Sequence, residues 1–200
     1  MTQPPLPYFP GPPGLREQIQ AAIRRPARHR LQAQTLWTVG LAAMLLFATG
    51  TWFLGAQRRA TDAELDRVLD GHLRSLVPGH LFDVASTDQH TVKPWFAGKL
   101  DFSPPVVDLA SAGFPLMGGR VDVVTGQRIA ALVYARRSHI INLFVRPIAT
   151  DASTAPHEAV RRGYNILDWS ASGMRYWAVS DLNLGEMREF QKLMAPPAAP

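Results

Sequence analysis

Residues 36–54 read Leu36-Trp-Thr-Val-Gly-Leu-Ala-Ala-Met-Leu-Leu-Phe-Ala-Thr-Gly-Thr-Trp-Phe-Leu54, and no charged side chain occurs between Arg30 and Arg58. A bilayer core of about 30 Å needs roughly 20 helical residues to cross it, which is the length available here. Gly40, Gly50 and the threonines are tolerable in a membrane helix, where a Thr hydroxyl can bond a carbonyl one turn back. Trp37 and Trp52 stand near the two ends, where indoles favour the headgroup region. A buried helix of a soluble domain would keep a polar face, and this segment has none. A cleaved signal peptide would carry a shorter apolar run, closer to the start, and a small-x-small site; here Phe53-Leu54-Gly55-Ala56-Gln57 follows. Pro26-Ala27-Arg28 after Arg24-Arg25 does not fit twin-arginine export. The sequence predicts an uncleaved signal anchor over 36–55.

That helix divides the 200 residues into a tail, 1–35, and a region of domain size, 56–200. The formal charge of +5 and the pI near 10.1 invite a nucleic-acid reading until the charges are located. The tail holds Arg16, Arg24, Arg25, Arg28 and Arg30 against Glu17, whereas the rest of the chain is nearly balanced. Basicity beside a membrane helix meets anionic headgroups and holds that end in the cytoplasm, so membrane lipid is the expected partner and direct nucleic-acid binding is not expected. Arg58, Arg59, Arg67 and Arg74 follow the span, but four arginines within 24–30 predict N-terminus in and 56–200 out. The chain has no cysteine, so an exported domain would rest on packing alone.

Six prolines and two glycines between Met1 and Gly14 preclude helix and sheet there. Leu15, Ile19, Ala22 and Ile23 then recur at helical spacing, with Arg24-Arg25-Pro26 predicted to end the turn. Leu15, Ile19 and Ile23 are the candidate partner-binding face, with headgroup contact the other use of such a helix. After the span, Thr61-Asp-Ala-Glu64 reads as a capping box that starts a new helix. Leu65, Val68, Leu69, His72, Leu73 and Leu76 give it one apolar face, and Pro78-Gly79 stops it.

Residues 81–100 mix polar and aromatic side chains and read as a loop and short helix before a strand. Strands are predicted over 114–124, 128–135, 139–145, 164–169 and 174–179, joined mostly by hairpin-short turns. Gly118-Gly119 marks a bulge or bend, and 150–157 reads as an exposed loop. Asn183-Leu-Gly-Glu186 starts a last helix with Met187, Phe190, Leu193 and Met194 on one side. The expected class is α+β, with an antiparallel sheet of about five strands and flanking helices.

No nucleophile elbow, phosphate loop, dinucleotide fingerprint or zinc-protease pair occurs, so no enzyme or cofactor is expected, and the motifs identify no small-molecule substrate. His72, His90 and His139 lack ligand spacing, so no metal site is expected either. Asp88, His90, Lys93, Trp95, Asp101 and His139 form the candidate ligand or signal site, suited to a small anion or a peptide, with a structural network as the competing reading.

Val84-Ala-Ser-Thr-Asp-Gln-His-Thr-Val-Lys-Pro-Trp-Phe96, Leu100-Asp-Phe-Ser-Pro-Pro105, Gly113-Phe-Pro-Leu-Met-Gly-Gly-Arg120 and Ala131-Leu-Val-Tyr134 resemble the bacterial transmembrane anti-sigma factors of the extracytoplasmic-function type. Ile140-Ile-Asn-Leu-Phe144, Gly163-Tyr-Asn-Ile166 and Tyr176-Trp-Ala-Val-Ser-Asp-Leu-Asn183 extend the resemblance across the exported region. It implies a single-pass inner-membrane regulator whose periplasmic domain receives an envelope signal and whose cytoplasmic part binds a sigma factor. Such proteins carry several dozen cytoplasmic residues, often with a His-x3-Cys-x2-Cys zinc motif. Here Tyr8-Phe-Pro-Gly-Pro-Pro-Gly-Leu-Arg-Glu-Gln-Ile19 looks like only the closing part of that region, without cysteine. Either the start codon assigned to this frame lies too far downstream, or sigma binding has been lost. A membrane-anchored periplasmic binding or scaffold module without sigma inhibition is the alternative, and a periplasmic metal-dependent enzyme ranks third.

Overall fold

The structure is a computed structural model that describes residues 11–149 and 153–194, with the side chains of 22–36 outside the described set. It divides into two compact units, Met1–Arg58 and Arg59–Pro200. The class is α+β: a long apolar helix, a seven-stranded antiparallel sheet and short helices.

In the first unit the helix is exposed on all sides. Trp37, Leu46, Phe47 and Trp52 are all more than 70% exposed, which water would penalise and acyl chains would not. Thr49 Oγ1 donates to Leu45 O at 2.8 Å and Thr51 Oγ1 to Ala48 O at 3.0 Å, the back-bonding expected of hydroxyls in an apolar helix. The helix that carries this run is long and apolar enough to span a membrane.

Two expected boundaries are absent. Helix α1 runs Leu15–Ser75, through Pro26 and through Thr61. A proline removes one backbone donor, but extending an existing helix avoids the cost of nucleating another. Between Gly55 and Thr61, Ala56-Gln-Arg-Arg-Ala60 are all good helix formers, so no breaker gives the capping box an end to cap. Glu64 instead pairs with Arg146 and Arg175 at 2.9 and 3.0 Å.

The second unit is built on strands β1 (Val84–Ala85), β2 (Leu116–Val124), β3 (Gln127–Arg136), β4 (His139–Pro147), β5 (Thr154–Arg161), β6 (Tyr164–Ala171) and β7 (Met174–Ser180), in the order β1-β2-β3-β4-β7-β6-β5. Helix α2 (Gln89–Trp95) follows β1, and helix α3 (Leu184–Met194) closes the unit. Seven strands replace the expected five or so because both edge strands lack the alternation that marks a half-buried strand. β1 has two residues, and β5, whose first half falls in the expected loop 150–157, is exposed at nearly every position. Pro156 within β5 is compatible with an edge, where one side of the backbone needs no partner. Two-residue turns at Thr125-Gly126 and Ser172-Gly173 have positive φ at both positions, the twist that antiparallel hairpins favour. The β2–β3 register shifts between Leu116 and Gly118, so the bulge expected at Gly118-Gly119 is present.

Alternation along the central strands sends side chains to two cores. Ile129, Ala131, Phe144, Ile166, Trp177 and Val179 pack with Leu65, Val68 and Leu69 of α1. Leu132, Tyr134, Leu143, Trp169 and Tyr176 face the other way, against α2, α3 and the loops. Asn183 caps α3 through its Oδ1, which accepts from Glu186 N at 3.0 Å, and Met187, Phe190 and Met194 are buried as expected, whereas Leu193 is exposed.

Candidate functional site

The structure keeps Asp88, His90, Lys93, Trp95 and Asp101 in and around one short helix and places His139 elsewhere. Asp88 is the N-cap of α2, its carboxylate accepting from His90 N at 2.8 Å and from Thr91 Oγ1 at 3.2 Å, so capping occupies it. His90 and Lys93 are exposed on that helix, and Trp95 lies under the Lys99 ammonium, 4.8 Å from its ring centre. Lys93 and Asp101 share the rim of one open depression beside Pro94 and Phe102. His139 is held elsewhere: it opens β4 and its Nδ1 lies 2.9 Å from Asp181 Oδ1. Of the tail residues, Leu15 and Ile19 are 45% and 50% exposed, and the Ile23 side chain lies outside the described residues.

What the fold does bring together is a buried polar network where the last turn of α1 meets the sheet. His72 and Ser75 reach it from α1, Arg120 and Asp122 from β2, and Asn142 from β4. Asn142 is fully buried. Its Oδ1 accepts from Arg120 Nη1 at 3.1 Å, and its Nδ2 lies 2.6 Å from Ser75 Oγ and 2.7 Å from His72 Nδ1. Arg120 also donates to Leu81 O at 3.1 Å, Gly71 O at 3.4 Å and Asp122 Oδ2 at 3.1 Å. One guanidinium thereby joins the helix end, the segment after it and two strands.

Proton placement follows from this geometry. A guanidinium only donates, so the Asn142 atom facing Arg120 is the carbonyl oxygen, and the amide nitrogen faces His72. His72 Nδ1 must then accept, which requires a neutral ring. Burial, reinforced by the Arg120 charge and opposed by Asp181, lowers the His72 pKa to about 4. Ser75 Oγ donates to His72 O at 2.7 Å and not to the ring, so the two do not form a nucleophile and base. Burial also lowers the Arg120 pKa, while Asp122 opposes that shift.

A cleft of about 370 Å³ opens beside the network, lined by Arg74, Val77, His80, Asp83, Arg120 and Asp122. Its charges are matched internally: Arg74 and Arg120 both pair with Asp122, at 3.3 and 3.1 Å. A second cluster lies along the same helix, where Glu64 bridges Arg146 and Arg175, Arg175 forks onto Asp168, and both guanidinium groups stack on Trp177. Among the described residues no group of three His, Asp or Glu is arranged to hold a metal.

Sequence reasoning placed His72 on an apolar face but missed Arg120, Asn142 and Ser75. The signal was Asn142 itself, a lone amide inside Ile140-Ile-Asn-Leu-Phe144. A central strand buried on both faces has no water for an amide, so it must meet a polar partner from another element. Compared with known proteins, the chain matches no family model, no curated protein and no solved structure.

Proposed function

We propose that this chain is a single-pass regulator of the bacterial inner membrane, of the anti-sigma type, whose sheet domain lies in the periplasm and passes an envelope signal to a cytoplasmic sigma factor. The observation that carries the reading is that one helix, α1, contains both the apolar run and Gly71, His72, Arg74 and Ser75, which bond to the sheet or to one another beside it. A change in how the sheet holds those residues therefore acts on the helix that crosses the bilayer. The resemblance of 84–183 to the periplasmic part of such regulators supports the same reading.

Arg24, Arg25, Arg28 and Arg30 favour a cytoplasmic tail. Alkaline phosphatase fused after Ala195 is expected to be active and fused at Gly14 inactive; the opposite pair would refute the topology. Leu15 and Ile19 offer the sigma factor an exposed face, each contributing on the order of 1.5–3 kcal/mol if fully covered. A face of two such residues buries a few hundred Å², below the roughly 1,000 Å² of a stable complex, so Leu15 and Ile19 by themselves make a weak contact. Taken alone, that small face also suits a second reading, an anchored binding or scaffold module. A photo-cross-linker at Gln18 distinguishes them: a sigma-factor adduct lost in Leu15→Asp with Ile19→Asp supports the regulator, and lipid adducts alone support the module.

A further inference from the structure

Asn142 stands between two groups that make opposite demands on it. Arg120 offers only donors, so the amide must turn its oxygen that way. Its nitrogen then faces His72 Nδ1 at 2.7 Å, and Ser75 Oγ takes the other amide proton at 2.6 Å. Both amide protons and the carbonyl oxygen are engaged, provided that the His72 ring is neutral. A proton on Nδ1 would set two donors against each other inside a buried site. Flipping the amide does not help, because it would then turn its NH2 group toward the Arg120 guanidinium. We propose that Asn142 is an acid-sensitive latch: proton uptake by His72 leaves the amide no satisfied orientation, and the last turn of α1 releases from the sheet.

The groups facing His72 favour release over accommodation. From β2 comes Arg120, a cation whose charge is shared with Asp122; from β6 comes Tyr164, edge-on at 5.1 Å; from α1 itself comes Ser75, whose hydroxyl proton is committed to His72 O. Among the described residues Asp181, beyond β7, favours the charged ring, and it is engaged by His139. His72 is 1% exposed, so a charged ring gains no hydration while docked. The released segment belongs to the same α1 helix as the apolar run. Acidification of the compartment around the sheet is therefore the signal class, and in that biological use the latch rests on the regulator proposed above.

The full chain contains no cysteine, so Leu76→Cys with Val160→Cys gives two clean spin-label positions, at sites 41% and 61% exposed. Reconstituted in phosphatidylcholine vesicles without any sigma factor, it is expected to show one narrow label–label distance at pH 7.5. As the pH falls from about 6.5 to about 4, a second, broader component should grow to at least half of the molecules. His72→Asn keeps an acceptor at the Nδ1 position but cannot gain the proton, and should hold the single distance at pH 4. Asn142→Asp accepts from both sides, tolerates a charged His72 and should also stay docked at pH 4; it decides the matter if His72→Asn does not fold. A wild-type distance unchanged at pH 4, or opening in the variants equal to wild type, would overturn the latch. Because no sigma factor is present, those results leave the regulator reading to the cross-linking experiment.

Discussion

Arg120→Met is expected to lower the unfolding free energy of the sheet unit by about 3–5 kcal/mol, the range for removing one partner of a buried charge pair. Methionine retains the apolar stem but no donor. Asp122, 13% exposed at its side chain, is then left with the solvent-facing Arg74, and Asn142 Oδ1, Leu81 O and Gly71 O lose the donor they share. Each orphaned buried acceptor costs more than a neutral hydrogen bond contributes. Arg74→Met is the matched control: its side chain is 60% exposed, so breaking its bond to the same carboxylate should cost less than about 1 kcal/mol. Urea-dependent pulse proteolysis of the full chain in mild detergent measures both.

Acid should destabilise the same unit by about 3 kcal/mol through His72 alone, the free energy of a pKa depressed from 6.5 to about 4. The ring is neutral when folded, so between those two values the unfolded chain binds a proton that the folded chain does not. Stability from this group is complete above pH 6.5, falls as the pH drops through that window, and is fully lost below about 4. Measuring the urea midpoint at intervals from pH 7.5 to 4 should show that slope in the wild type and its absence in His72→Asn.

The parts of this architecture that were legible in the sequence are those fixed by local chemistry. The apolar run is long enough to span a membrane, and β3, β4, β6 and β7 are runs of Val, Ile, Leu and aromatics bounded by turn residues. β5 escaped because an edge strand exposed on both faces has nothing to alternate, and the continuity of α1 escaped because Thr61-Asp-Ala-Glu64 is a valid cap wherever a helix needs one. The site was hidden for a different reason. His72 and Asn142 are 70 residues apart in the chain, and Arg120 and Gly71 are 49 apart. Neither pairing has a local signature. Asp88, Lys93 and Trp95 looked more chemical because they are crowded in sequence, yet the fold uses Asp88 to cap a helix and leaves Lys93 in solvent.

The central claim is that polar bonds through Arg120 and Asn142, beyond the apolar packing of Leu65, Val68 and Leu69, hold the end of α1 to the sheet. Amide hydrogen exchange on the full chain in phosphatidylcholine nanodiscs at pH 7.5 tests this residue by residue. In the wild type, residues 65–75 should be protected together with β3, β4 and β7; in Arg120→Met, protection should be lost over 70–75 and kept at 65–69 and in those strands. Unchanged protection over 70–75 in the variant would contradict the claim.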